Sequence, residues 1–135
     1  MSTAYLGSGL EDDIHLLDYV SLSTNTDASN SAEDLTVNGA SGSGPSCPDN
    51  YTMVMDFVII SNTASSAGVI TIQVTNGTTT IVLANLQFAA NTTLVLDTTK
   101  FKFIAYSGYK FQCITDGTAK GSVQALVRLV PGCGY

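Results

Sequence analysis

No lysine or arginine occurs before Lys100, and the five basic residues of the chain face eleven carboxylates, for a formal net charge of −6. Phosphate backbones are bound by Lys and Arg that displace counterions, so nucleic acid is excluded as a partner. Apolar runs are short. Phe57 to Ile60 is as long as any, far below the length that crosses a bilayer as a helix, so no membrane partner is expected. Met1 to Asp13 has neither a basic n-region nor an apolar h-region, and synthesis in a cytoplasm is the expectation. Tryptophan is absent and His15 is the one histidine, with no Gly-x-Ser-x-Gly turn and no base or nucleophile flanking it in a hydrolase pattern, so no catalytic residue is assigned.

Cysteine is also scarce. Three thiols are too few and too scattered for a disulfide scaffold, and none has zinc-ligand spacing. Cys113 falls in the alternation Tyr109, Phe111, Cys113 and is expected in the core. Cys47 and Cys133 sit in Pro/Gly turn settings at the entry and exit of the strand-rich region. If the first and last strands are neighbours, they come within bridging distance.

Charged residues make up 12% of the chain against 44% hydrophobic, and Thr, Ser, Asn and Gly take the place of the missing charge. A surface solubilised by hydroxyls and amides suits modules that pack side by side, because no charge has to be desolvated. The charge that remains is segregated. Glu11, Asp12, Asp13, Asp18, Asp27, Glu33, Asp34 and Asp49 all precede Tyr51. Residues 1–50 therefore read as an acidic N-terminal arm and linker ending in the flexible composition Gly39 to Gly44, and residues 51–135 as a folded domain. Within the arm, Ser8 followed by Glu11 fits a capping box for a helix over Gly9 to Tyr19, while a strand over Ile14 to Leu22 fits equally well. The acids Glu11 to Asp13 are a solvated or basic-surface-binding segment, and the oxygen-bearing run Asn25, Asp27, Ser29, Ser31, Glu33 lacks the glycine and closing glutamate of a calcium loop, so no metal or cofactor is expected. The arm's Glu11, Asp12, Asp13, Ile14, Leu17 and Asp18 are the candidate partner-binding residues, directed at a basic groove.

From Tyr51 the apolar residues alternate with period two almost to the end. Tyr51, Met53, Met55, Phe57 and Ile59 share one expected face, with Asp56 opposite. Ile70, Ile72 and Val74 form the next inward set, followed by Asn76-Gly77, a type I′ hairpin signal. Strands over Thr79 to Ala84, Thr92 to Asp97, Lys100 to Tyr106 and Tyr109 to Thr115 follow. Asp116-Gly117 then turns the chain as a hairpin into Gly121 to Val130. About seven strands with turn signals at this spacing and no helical period predict an all-β antiparallel sandwich of jelly-roll or Greek-key type. Tyr106 and Tyr109, flanking Ser107-Gly108, are the candidate glycan contacts.

The stretch Val58 to Val74, with its Ser-Asn-Thr-rich turn between hydrophobic strands, resembles small β-sandwich virion proteins of tailed bacteriophages. Asn91-Thr92-Thr93-Leu94-Val95-Leu96-Asp97 and Gly108-Tyr109-Lys110-Phe111 extend the likeness, which covers about Met53 to Val130. The resemblance implies a non-enzymatic virion structural protein, a capsid decoration (cement) protein or a neck, tail or fibre component, located in the virion. Its implied partners are the major capsid protein or another virion protein, and further copies of itself, with a trimer favoured. A carbohydrate-binding host-recognition module is the alternative. No functional residue carries over from the family.

Overall fold

The structure, a computed structural model, describes residues 19–97, 99 and 102–131. Nine strands are present among them: β1 (Val20–Thr24), β2 (Glu33–Val37), β3 (Tyr51–Asn62), β4 (Gly68–Thr75), β5 (Thr80–Phe88), β6 (Thr93–Leu96), β7 (Ile104–Tyr106), β8 (Lys110–Thr115) and β9 (Gly121–Pro131). Every pairing is antiparallel. The strands form one path, β5-β4-β8-β2-β1-β9-β3-β6, with β7 also on β3. The path folds over at β2, whose Glu33 and Asp34 pair with β8 while Leu35 to Val37 pair with β1. A front sheet (β6, β3, β9, β1) thus faces a back sheet (β8, β4, β5), joined along one side by β2. On the other side β5 and β6 end the path.

The core is the set of side chains that alternate inward from both sheets. Met55, Val58, Ile60, Ala125 and Val123 from the front meet Ile70, Ile72, Phe111 and Cys113 from the back, all 1% exposed or less. The back-sheet inward set Ile70, Ile72 and Val74 is the expected one, because strict alternation on a paired strand leaves no other choice. Cys113 is in the core, as its place in the alternation required.

The strand count exceeds seven because β1 and β2 lie in the segment read as an arm. Leu22 is 1% and Leu35 0% exposed, and both belong to the one core cluster. Their strands have only two apolar side chains each pointing anywhere useful, too few for a period to declare itself, so long-range pairing decides the matter. The boundary at residue 50 is corrected accordingly. The linker after β2 is also held by the chain's own sandwich: Gly44 N–H donates to Asp34 Oδ2 at 2.9 Å and Cys47 N–H to Tyr109 O at 2.8 Å.

Three local expectations differ as well. Asp56 is an extra residue in β3, since Met55 pairs with Val127 and Phe57 with Leu126. The bulge switches the faces, so Val58 and Ile60 are buried and Phe57 is 41% exposed. The β4–β5 connection is a four-residue loop in place of a type I′ turn. Gly77 has φ +93°, but Asn76 does not adopt positive φ; its Oδ1 accepts from the N–H of Thr78 and Thr79 at 2.9 and 2.7 Å. Asp116-Gly117 is no hairpin, because β8 lies in the back sheet and β9 in the front. Lys100 and Phe101 lie outside the described residues, and β7 begins only at Ile104.

Candidate functional site

Glu11, Asp12, Asp13, Ile14, Leu17 and Asp18 lie outside the described residues, as does Cys133. The chain emerges at Tyr19, and Val20 then lines an apolar cleft of about 190 Å³ with Leu22, Val37, Pro45, Met53, Val127 and Leu129. At this end of the core β1 begins, with Val20 opposite Val127, while β9 runs on to Pro131.

Several acids of the N-terminal half are engaged by the chain itself. Asp34 on β2 receives Lys110 Nζ at 2.7 Å, Gln112 Nε2 at 2.7 Å and the Gly44 N–H, and Gln112 is in turn held by Gln73 at 2.9 Å. Partial burial alone would raise the Asp34 carboxyl; these donors outweigh it and hold it below the ordinary carboxylate value. Asp27 Oδ2 accepts from Thr63 Oγ1 at 2.6 Å, and Glu33 Oε2 from the Thr26 N–H at 3.3 Å, so the run Asn25 to Glu33 spends oxygens on its own loops. Among the described residues no group of three or more His, Cys, Asp or Glu could hold a metal ion.

On the outer front face the bulged Asp56 receives both Lys102 Nζ, at 2.9 Å, and Arg128. Burial works against this carboxylate too, and the two cations lower its pKa despite it. Beside this charged group lies an apolar stripe across three strands. Leu126 of β9 stands opposite Phe57 of β3, and Ile59 opposite Val95 of β6, with Leu126, Phe57 and Val95 39%, 41% and 56% exposed. The bulge that turned Phe57 outward created this stripe, so period-two reading could not find it.

Tyr106 is 61% exposed at the end of β7, whereas Tyr109 is half-buried and packed on the core. Gly108, with φ +86°, makes the tight turn between them and donates its N–H to Cys47 O at 2.9 Å. Cys47 is buried, with Sγ 3.1 Å from Tyr51 O. Tyr51 pairs with Pro131, so β3 and β9 are neighbours up to that residue, and Cys133 lies beyond the described residues.

At the opposite end of the sandwich, Asn62 is a buried polar side chain with every group used. Its Nδ2 donates to Ser66 O and Ala89 O, and its Oδ1 accepts from the N–H of Ala64 and Lys120. It ties together three connections between the sheets, a structural role for a satisfied amide. Asp116 caps the β8–β9 turn: the Ala119 N–H, Thr118 Oγ1 and the N–H of Val69 and Thr118 bring its pKa down to about 2.

The whole arrangement is an antiparallel, sandwich-like all-β scaffold whose distinctive surfaces are apolar edges and stripes. No family model matches the chain, and no curated protein matches it. Among solved structures, it is similar to two crystal structures of pentameric capsid proteins isolated from metagenomic phage sequences. One is 19% identical with a TM-score of 0.43, the match covering 84% of this chain and 62% of that one. The other is 17% identical with a TM-score of 0.45, covering 98% and 82%. The chain therefore spans a little under two thirds of the first of these proteins, and the pentameric assembly is theirs.

Proposed function

We propose that this chain is a non-enzymatic virion structural protein of a tailed bacteriophage, specifically a capsid decoration (cement) protein. Its sandwich associates with copies of itself, a trimer being the expected unit, and the segment before Tyr19 anchors it to the coat. One observation carries the reading. The stretch that resembles phage virion sandwich proteins, about Met53 to Val130, coincides with β3 to β9, so the likeness falls on the load-carrying scaffold itself. A scaffold of this kind, poor in charge and built from long antiparallel pairings, suits a repeated packing unit. The segment Met1 to Asp18 holds Glu11, Asp12, Asp13 and Asp18 and no Lys or Arg, which fits a basic groove on a coat lattice.

The test is mass spectrometry of purified, protease-washed particles of the phage that encodes the chain. Its presence in stoichiometric amount is expected, and its absence overturns the reading. Particles reconstituted with a variant lacking Met1 to Asp18 then report on anchoring: loss of occupancy is expected, and full occupancy removes the anchor.

A second reading, a host-recognition module, is favoured by the exposed ring of Tyr106 beside the Gly108 turn. Glycan binding that Tyr106→Ala and Tyr109→Ala both abolish would establish it.

A further inference from the structure

We propose that the open side of the sandwich, between β5 and β6, is the surface through which a second copy of this chain docks. The inference rests on the self-association in the reading above and names its surface.

At this side the core reaches solvent. Ile81 stands opposite Val74 in the β4–β5 register, and Leu94 opposite Ile60 in β3–β6, so both belong to the inward faces of their sheets. Val74 and Ile60 are 3% and 0% exposed; Ile81 and Leu94, one strand further out, are 45% and 38% exposed. On the outer faces of the same two strands Val82 and Val95 are more than half exposed. Apolar side chains thus flank both lips of the seam, inside and out. The front lip continues into the Leu126–Phe57 stripe.

The two strands are also unpaired on their outer sides among the described residues, since β5 bonds only β4 and β6 only β3. A bare strand edge is a template for another strand, and soluble proteins blunt such edges with Lys, Glu or Pro. None is present. From Phe57 to Leu96, forty consecutive residues, the chain has no charged residue, no histidine and no proline. A bulge at Leu83 interrupts β5, because Ile72 pairs with Ala84 and Gln73 with Val82, but Ala84 to Phe88 remains a regular edge.

The missing charge also selects the occupant. Copies of a chain with net charge −6 repel one another, and the repulsion is least where the surfaces in contact carry no charge. A nucleic acid or a strongly charged protein would find no counter-charge in these forty residues. Another copy finds a neutral edge whose backbone N–H and C=O rows complement its own, and β5 of one copy against β6 of the next is a head-to-tail contact that can close a ring of three.

The test is the mass of the full chain by light scattering after size exclusion. Wild type is expected at a multiple of 14.1 kDa, and the double variant Val82→Lys/Val95→Lys at the mass of one chain, with unchanged far-ultraviolet circular dichroism. Ser31→Lys, exposed in the loop between β1 and β2 on the side of the sandwich away from the seam, should keep the wild-type mass. A monomeric wild type, or a double variant that keeps the wild-type mass, overturns the proposal. Were the double variant to misfold, hydrogen exchange of wild type at low and high concentration decides instead: β5 and β6 amides must gain protection with concentration, and equal exchange overturns the surface. The outcomes separate from those of the function. A chain absent from particles whose double variant dissociates leaves this surface standing, and a virion component whose double variant stays assembled removes the surface alone.

Discussion

Asp34 and Lys110, 76 residues apart in the chain, meet at 2.7 Å where β2 crosses from one sheet to the other. The acidic and basic halves of the sequence are therefore partly neutralised within one molecule. Asp34 also holds Gln112 and the Gly44 N–H, so one carboxylate fixes β8, β2 and the loop after β2. Asp34→Ala strands three donors and is expected to cost about 1–3 kcal/mol in urea unfolding. Lys110→Ala leaves the other two bonds in place and should cost less than about 1 kcal/mol, since the ion pair is partly exposed.

Leu22 and Leu35 make β1 and β2 part of the core, so truncation has a sharp boundary. Removing residues 1–50 deletes two strands and should abolish cooperative unfolding. The sequence-based expectation of a self-sufficient 51–135 domain is reversed here. Leu22→Ala and Leu35→Ala should each cost about 2–5 kcal/mol.

Asp116 gives the chain an acid-sensitive turn. Its folded pKa, about 2, lies below the ordinary value of 3.8, so its stabilising effect is complete above 3.8 and disappears as pH falls through about 2. Denaturant midpoints of wild type and Asp116→Asn should differ at neutral pH and converge across that window. A constant difference would show that the carboxylate charge is not what the turn uses.

Burial, with a small addition from Glu33, pushes the Cys113 thiol up to about 12. At pH 8 it should resist alkylation in the native protein and react fully in urea. Mass spectrometry after brief iodoacetamide treatment reads this residue by residue.

Cys113 also limits Gly121, the first residue of β9. A methyl group there would lie 2.9 Å from Cys113 Sγ and 3.1 Å from Ile70 Cγ2. Gly121→Ala should cost about 1–3 kcal/mol by overpacking. Adding Cys113→Ala vacates the space, so the double variant should lose less than the sum of the two single changes.

How much of this was legible in the sequence varies element by element. Period-two alternation located β4, β8 and β9 closely, because each is paired on both sides and buries one complete face. It failed at Asp56, where one inserted residue inverts the faces and exposes Phe57. For β1 it offered a strand over Ile14 to Leu22 beside a helix, of which Val20 to Leu22 fall in β1, and β2, five residues among polar neighbours, went unseen. Of the candidate site residues, Tyr106 is as exposed as expected and Tyr109 is not, because the turn at Gly108 presses its ring onto the core. The charge-free interval Phe57 to Leu96 was plainly visible in the sequence, but its importance was not, since alternation alone does not tell an edge strand from a central one.

The chain's residues by themselves determined an antiparallel β fold with a charge-poor surface, because alternation, turn residues and charge are local properties. Tertiary structure alone decided which strands are neighbours, where the sheet folds over and which edges stay bare. Those depend on pairings between residues as distant as Leu22 and Ala125, which no local pattern encodes. The same long-range pairings drew part of the apparent acidic arm into the core and left the seam between β5 and β6 open.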